Sequence, residues 1–147
     1  MSGVINICSN RKARHEYHVL DTLEAGIVLV GCEVKSLREH NCSLDASYAY
    51  IVDGEVWLVG CNIEPYKFAN NFNLSEPKRK RKLLLKKKQI RSFAEKAEQK
   101  GNTLVPLSMY FRNGIAKVEL AVCKGKQEHD KRQSLKEKDA KREMRDF

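Results

Sequence analysis

Between residues 78 and 91 the chain carries nine basic residues in fourteen, and no acidic one. They are Lys78, Arg79, Lys80, Arg81, Lys82, Lys86, Lys87, Lys88 and Arg91. The net charge of the whole chain is +9, so this one segment accounts for all of it. Clustered lysines and arginines bind polyanions, because each phosphate they neutralise releases condensed counterions. A solvated helix face would explain a segment of mixed sign. Like charges at this density repel one another until an anion neutralises them. An anionic membrane would attract the same charges, but Leu83-Leu84-Leu85 is too short an apolar run to insert. Nucleic acid is the expected ligand, with Arg79, Arg81, Lys82, Lys86, Lys87 and Lys88 as its basic patch.

A second cluster, Asn10-Arg11-Lys12-Ala13-Arg14-His15-Glu16-Tyr17, interleaves charge with rings. Arg11 and Lys12 suit phosphates, while His15 and Tyr17 offer faces for unstacked bases, the usual mode for irregular RNA. The same residues read equally well as a charged strand with Tyr17 in the core. Chemistry of other kinds is poorly supported. His15, His18, His40 and His129 form no recognised metal spacing. Cys32, His40 and Cys42 would supply three zinc ligands without a fourth. There is no G-x-S-x-G elbow and no phosphate loop. No catalytic group, metal or cofactor is expected.

The elements that must position these groups are mostly strands. Asp53-Gly54 separates two β-rich runs at residues 48–52 and 56–59, and Asn113-Gly114 separates residues 107–111 from 115–120. Both dipeptides favour the positive φ of tight hairpin turns. A third strand pair is expected on either side of Ala25-Gly26, from the alternation at Tyr17, Val19 and Leu23 and then from Ile27-Val28-Leu29-Val30. Residues 33–38 read as a short helix, and residues 86–100 as another ending at Gly101. The fold expected is mainly β: a small closed antiparallel barrel of the oligonucleotide-binding type, with about six strands and peripheral short helices.

One domain is expected over residues 1–123, with a flexible N-terminus and a core beginning near residue 8. From residue 124 to 147 the chain is largely charged, and Leu135, Met144 and Phe147 are its only large apolar residues. Such a tail cannot offset its ordering entropy and should be disordered when free. No signal peptide and no transmembrane run are visible. Five cysteines in a lysine-rich chain suggest reduced thiols in a cytoplasm.

Six motifs in order resemble the SmpB family, the SsrA-binding (tmRNA-binding) proteins. They are the Asn10–Tyr17 cluster, Glu24-Ala25-Gly26-Ile27, Gly31-Cys32-Glu33-Val34-Lys35-Ser36-Leu37-Arg38, Arg81-Lys82-Leu83-Leu84-Leu85, Thr103-Leu104-Val105-Pro106-Leu107, and Gly125-Lys126 followed by Asp130-Lys131-Arg132. The resemblance implies a monomeric, non-enzymatic adaptor that binds the tRNA-like domain of tmRNA and brings it to the A site of a stalled ribosome. It implies RNA-facing roles for Asn10, Arg11, Lys12, His15, Tyr17, Glu24, Leu84 and Lys117. Leu84 also reads as ordinary core. An RNA-processing enzyme on the same barrel and a structural ribosomal protein are the alternatives.

The resemblance assigns the tail to the decoding centre and the vacant mRNA channel. His129 would stack on a ribosomal base, beside Asp130, while Lys131, Arg132, Lys136, Lys138, Lys141, Arg142 and Arg145 would meet ribosomal RNA phosphates. Glu128–Arg132 and Glu137–Lys141 are spaced i,i+4 with acid before base, which favours a helix once a surface holds the tail. Family members often carry Lys or Tyr where this chain has Gln127 and Glu128, so an acidic group beside His129 is a departure.

Overall fold

The computed structural model describes residues 3–66 and 76–126. Strand β1 (Val4–Ser9) leads into helix α1 (Arg11–Glu16), then the long strand β2 (Tyr17–Ile27) and helix α2 (Gly31–Arg38). Short β3 (Cys42–Ser43), hairpin β4 (Tyr48–Val52) and β5 (Glu55–Val59), and short β6 (Asn62–Ile63) follow. After them come β7 (Arg81–Leu84), α3 (Lys87–Ala97), β8 (Asn102–Arg112) and β9 (Ile115–Gly125).

The sheet closes. Strands run β8-β4-β5-β7-β2-β9, and β9 pairs back onto β8, so six antiparallel strands form a ring. Its interior is filled by alternate residues of the ring, among them Ala25, Val56, Leu58, Leu83, Met109, Val118 and Leu120, together with Leu37 of α2 and Phe93 of α3. The mainly β barrel with short helices is the fold that the strand and turn pattern implied. Both hairpins form at the expected dipeptides, and Asp53, Gly54, Asn113 and Gly114 all have positive φ.

Three expectations are corrected. The N-terminus is not loose from residue 4 onward: β1 pairs with β8 from Val4↔Arg112 to Ser9↔Ser108. Only Ile7 of β1 is buried, so no alternation marked it as a strand. Ala25-Gly26 does not break a strand pair, since β2 runs through it as one strand and Ile27 is its last residue. Gly26 is there for another reason. A Cβ at this position would lie 3.3 Å from the Leu84 Cβ, so glycine makes room for the neighbouring side chain. Finally, residues 11–16 form a helix rather than a strand.

Helix α1 is short, and its cap holds it. The Asn10 side-chain oxygen accepts from the Ala13 N–H at 3.2 Å, satisfying a donor the first turn leaves open. Its Nδ2 donates to the Leu44 and Pro106 carbonyls at 3.2 and 3.0 Å, and its backbone N–H to Leu107 at 2.8 Å. Ala13 then packs with Val105, Leu107, Ala121 and Cys123 in a second core on the outer face of β8 and β9. Asn10→Ala removes the cap and the two bonds that its Nδ2 gives to the Leu44 and Pro106 carbonyls. Urea denaturation should register a loss of about 1–3 kcal/mol.

Candidate nucleic-acid interface

Strand β7 converts the basic run into two surfaces. A strand turns successive side chains to opposite faces, so Arg81 and Leu83 point inward while Lys82 and Leu84 point outward. Arg81 is fully buried, and all five of its N–H groups are used. Nε donates to Glu33 Oε2 at 2.8 Å, Nη1 to the Cys61 and Arg79 carbonyls at 2.8 and 3.2 Å, and Nη2 to Glu33 and to the Pro77 carbonyl at 3.0 Å. Arg79, partly exposed, binds the same carboxylate with Nη2 2.5 Å from Glu33 Oε1. Burial pushes the Glu33 carboxyl up, but hydrogen bonds from Arg79, the Val30 N–H and Arg81 outweigh it and hold the group below the usual range.

Arg81 is therefore corrected from phosphate contact to interior ion pair, and Arg79 is largely committed to the same acid. The outward basic groups are Lys78, Lys80, Lys82, Lys86, Lys87, Lys88 and Arg91. Lys86, Lys87 and Lys88 gather at the start of α3, where no acidic side chain offsets the positive end of the helix. Gln89 caps this end, its Oε1 accepting from the Lys86 N–H at 2.9 Å.

Leu84 is 52% exposed, which removes it from the core. Register brings it to the other predicted residues. Gly26 pairs with Leu84 on one side and with Lys117 on the other, and Glu24 lies two residues away on the same face of β2. Glu24, Gly26, Leu84, Leu85, Lys86, Gln89 and Lys117 line one open cleft of about 460 Å³. Because Gly26 has no side chain, the floor between Leu84 and Lys117 is bare backbone.

Glu24 is held in place by two groups that sequence reasoning missed. The Tyr110 hydroxyl donates to its Oε1 at 2.7 Å and Arg112 Nε donates to the same oxygen at 2.8 Å. These bonds keep the carboxyl below its ordinary range, so it is an acceptor at neutral pH. Burial, then the bond to Glu24, pushes the Tyr110 hydroxyl up to about 12. The signal for both residues was present. A tight Asn113-Gly114 turn fixes Arg112 opposite Ile115 and Tyr110 opposite Lys117, which puts Tyr110 beside the Glu24 row.

The α1 cluster shares this outer face. Arg14 Nη2 lies 3.9 Å from Glu119 Oε2, and Glu119 sits directly opposite Glu24 across the β2–β9 pairing. Arg11 and Lys12 are exposed and His15 is half-buried. Tyr17, also half-buried, packs on the second core. Lys12 and Tyr17 border a groove of about 500 Å³, together with Tyr48 and Thr103. Tyr48 is 47% exposed and was read from sequence only as a strand residue. Asn10 is the second correction: it is 2% exposed and caps α1 instead of facing a ligand.

Just past β9, Lys126 is held against α1. The Lys126 N–H donates to the Glu16 carbonyl at 2.8 Å, and Lys126 Nζ to the Arg14 carbonyl at 3.4 Å. The tail thus begins beside the first cluster. His129, Asp130, Lys131, Arg132, Lys136, Lys138, Lys141, Arg142 and Arg145 lie outside the described residues. Among the described residues no group of three His, Cys, Asp or Glu side chains is placed to hold a metal. The Cys32, His40 and Cys42 set does not assemble as ligands: His40 Nδ1 bonds the Ile7 carbonyl and Cys42 meets Cys8. No helix among the described residues is long and apolar enough to cross a membrane.

A cleft joining an acid, a leucine and lysines on a barrel face can be compared with known proteins. The family model described as SmpB protein matches residues 7–147. This chain belongs to the SmpB family. The SsrA-binding protein of Sulfurihydrogenibium sp. (strain YO3AOP1) is 54% identical over 138 residues, covering 94% of this chain and 90% of that protein. The SsrA-binding protein of Chlamydia trachomatis serovar A is 51% identical over 142 residues, covering 97% and 93%. A solved structure described as "tmRNA-SmpB: a journey to the center of the bacterial ribosome" is 44% identical, with a TM-score of 0.70, over 91% of this chain and 95% of that one. Both of these relatives are named for binding SsrA.

Proposed function

We propose that this protein is a non-enzymatic adaptor of bacterial ribosome rescue. Its barrel binds the tRNA-like domain of tmRNA and delivers it to the A site of a stalled ribosome. Its tail occupies the empty mRNA channel near the decoding centre. The observation that carries the reading is the cleft in which Glu24, Leu84 and Lys117, far apart in sequence, meet over the bare backbone of Gly26. Each group has a distinct use toward folded RNA. Glu24 accepts from the amino edge of an unpaired base, Leu84 packs on a base face, and Lys117 and Lys86 take phosphate or base-edge oxygens. Arg11, Lys12 and His15 extend the contact over α1. The names of the relatives support the same partner.

The decisive experiment separates the barrel from the tail. A variant ending after Lys126 keeps every described element, so its affinity for a tRNA-like tmRNA fragment should stay within about twofold of the full chain. Fluorescence anisotropy measures this, while tagging of nascent chains on stalled ribosomes should be lost. Loss of fragment binding in the truncated variant would overturn this division of labour. Preference for the fragment over duplex RNA of equal length should survive high salt, which removes purely electrostatic binding.

A further inference from the structure

None of the five cysteines forms a disulfide. Two of them nevertheless sit in contact. Cys8 at the end of β1 and Cys42 of β3 share a hydrogen bond with their sulfurs 3.3 Å apart, and both side chains are only partly buried. Strands β1 and β3 lie side by side, so a bond between these sulfurs, about 2.05 Å long, asks for little more than an ångström of closure.

We propose that Cys8 and Cys42 are a redox modification site, a dithiol that a peroxide converts reversibly into a disulfide. The Cys42 thiolate attacks one oxygen of hydrogen peroxide. The O–O bond breaks, Cys42 becomes a sulfenic acid, and the departing hydroxide leaves as water after taking a proton. The Cys8 sulfur then attacks the Cys42 sulfur and the S–O bond breaks. The Cys8 proton and the leaving hydroxide form a second water. Two thiols are oxidised by two electrons and one peroxide is reduced.

The surroundings set the pair apart from the buried thiols Cys61 and Cys123. The Cys42 thiol is held below its ordinary range by its contact with Cys8, against the upward push of burial, and by the buried Arg81 charge. Burial pushes Cys61 up to about 12 and Cys123 up to about 11, so both stay protonated and are shielded. The linkage would also act on the RNA face. Cys8 is two residues before Asn10, the cap of α1, and Cys42 is two residues before Leu44, whose carbonyl Asn10 holds. A disulfide would staple both ends of that contact.

Peroxide treatment of the reduced full-length chain, followed by alkylation and non-reducing peptide mass spectrometry, tests this. The expected product is about 2 Da lighter, with one Cys8–Cys42 linked peptide, three alkylatable thiols and full reversal by dithiothreitol. The linked protein should melt about 5 °C or more higher, because the closed loop constrains the unfolded chain. Cys8→Ser should leave Cys42 as a sulfenic acid that dimedone traps, and Cys123→Ser should leave the linkage unchanged. Five alkylatable thiols after treatment, a Cys42–Cys61 link, or independent over-oxidation of Cys8 and Cys42 would overturn the proposal. The wild-type measurement decides the matter even if Cys8→Ser fails to fold.

Discussion

Glu33→Ala is expected to lower the unfolding free energy by about 3–5 kcal/mol, the largest loss from any single substitution considered for this protein. The carboxylate is 1% exposed and faces two arginines, of which Arg81 has no exposed surface. Removing it leaves a guanidinium in the barrel wall with no counter-charge and no solvent. For a domain whose whole stability is about 5–15 kcal/mol, much of the variant would be unfolded or insoluble. Urea denaturation followed by circular dichroism measures the loss, and a cost under about 1 kcal/mol would sink the argument. Glu33→Leu combined with Arg81→Met should recover much of the stability, because replacing both partners removes the uncompensated charge.

The same pair gives the wild-type protein an acid sensitivity. The ordinary value of the Glu33 carboxyl is 4.5, and its folded value lies lower. Its contribution to stability is therefore complete above the unfolded value and is lost as pH falls through the folded one. Glu33→Gln should have a shallower fall in unfolding midpoint below about pH 4.5 than the wild type.

That ion pair also explains what was legible in the sequence. Both hairpins were, since the turn dipeptide and the flanking strands lie within a dozen residues and need no distant partner. The charge of residues 78–91 was legible as well, but not its division. Arg81 lies inside because Glu33 waits there, 48 positions earlier, and nothing local distinguishes Arg81 from Lys80. Helix α1 was hidden for the same reason. Its cap residue is anchored by carbonyls 34 and 96 positions away, so a six-residue segment with little helical patterning is made helical by tertiary contacts. Leu84 also read as ordinary core, and strand alternation removes that reading. Burial of Leu83 sends Leu84 outward, a consequence of period two that the run of three leucines disguised.

The second large effect is on binding. Leu84→Asp should weaken affinity for the tRNA-like tmRNA fragment by about tenfold or more, while circular dichroism and the urea midpoint stay close to wild type. The side chain is half in solvent, so an aspartate there costs little folding energy, whereas in the complex it would set a second negative charge beside Glu24 against RNA. Lys88→Ala is the informative comparison. A phosphate contact should lower affinity for the fragment and for duplex RNA alike, and should reduce the salt slope by about 1. If Leu84→Asp instead weakens both RNAs equally, the cleft contributes charge alone, and the specificity would have to come from α1. If only the fragment suffers, recognition resides in the three-strand register that brings Glu24, Leu84 and Lys117 together over Gly26. Gly26→Val, which forces a side chain against Leu84, should then reproduce the loss without any change of charge.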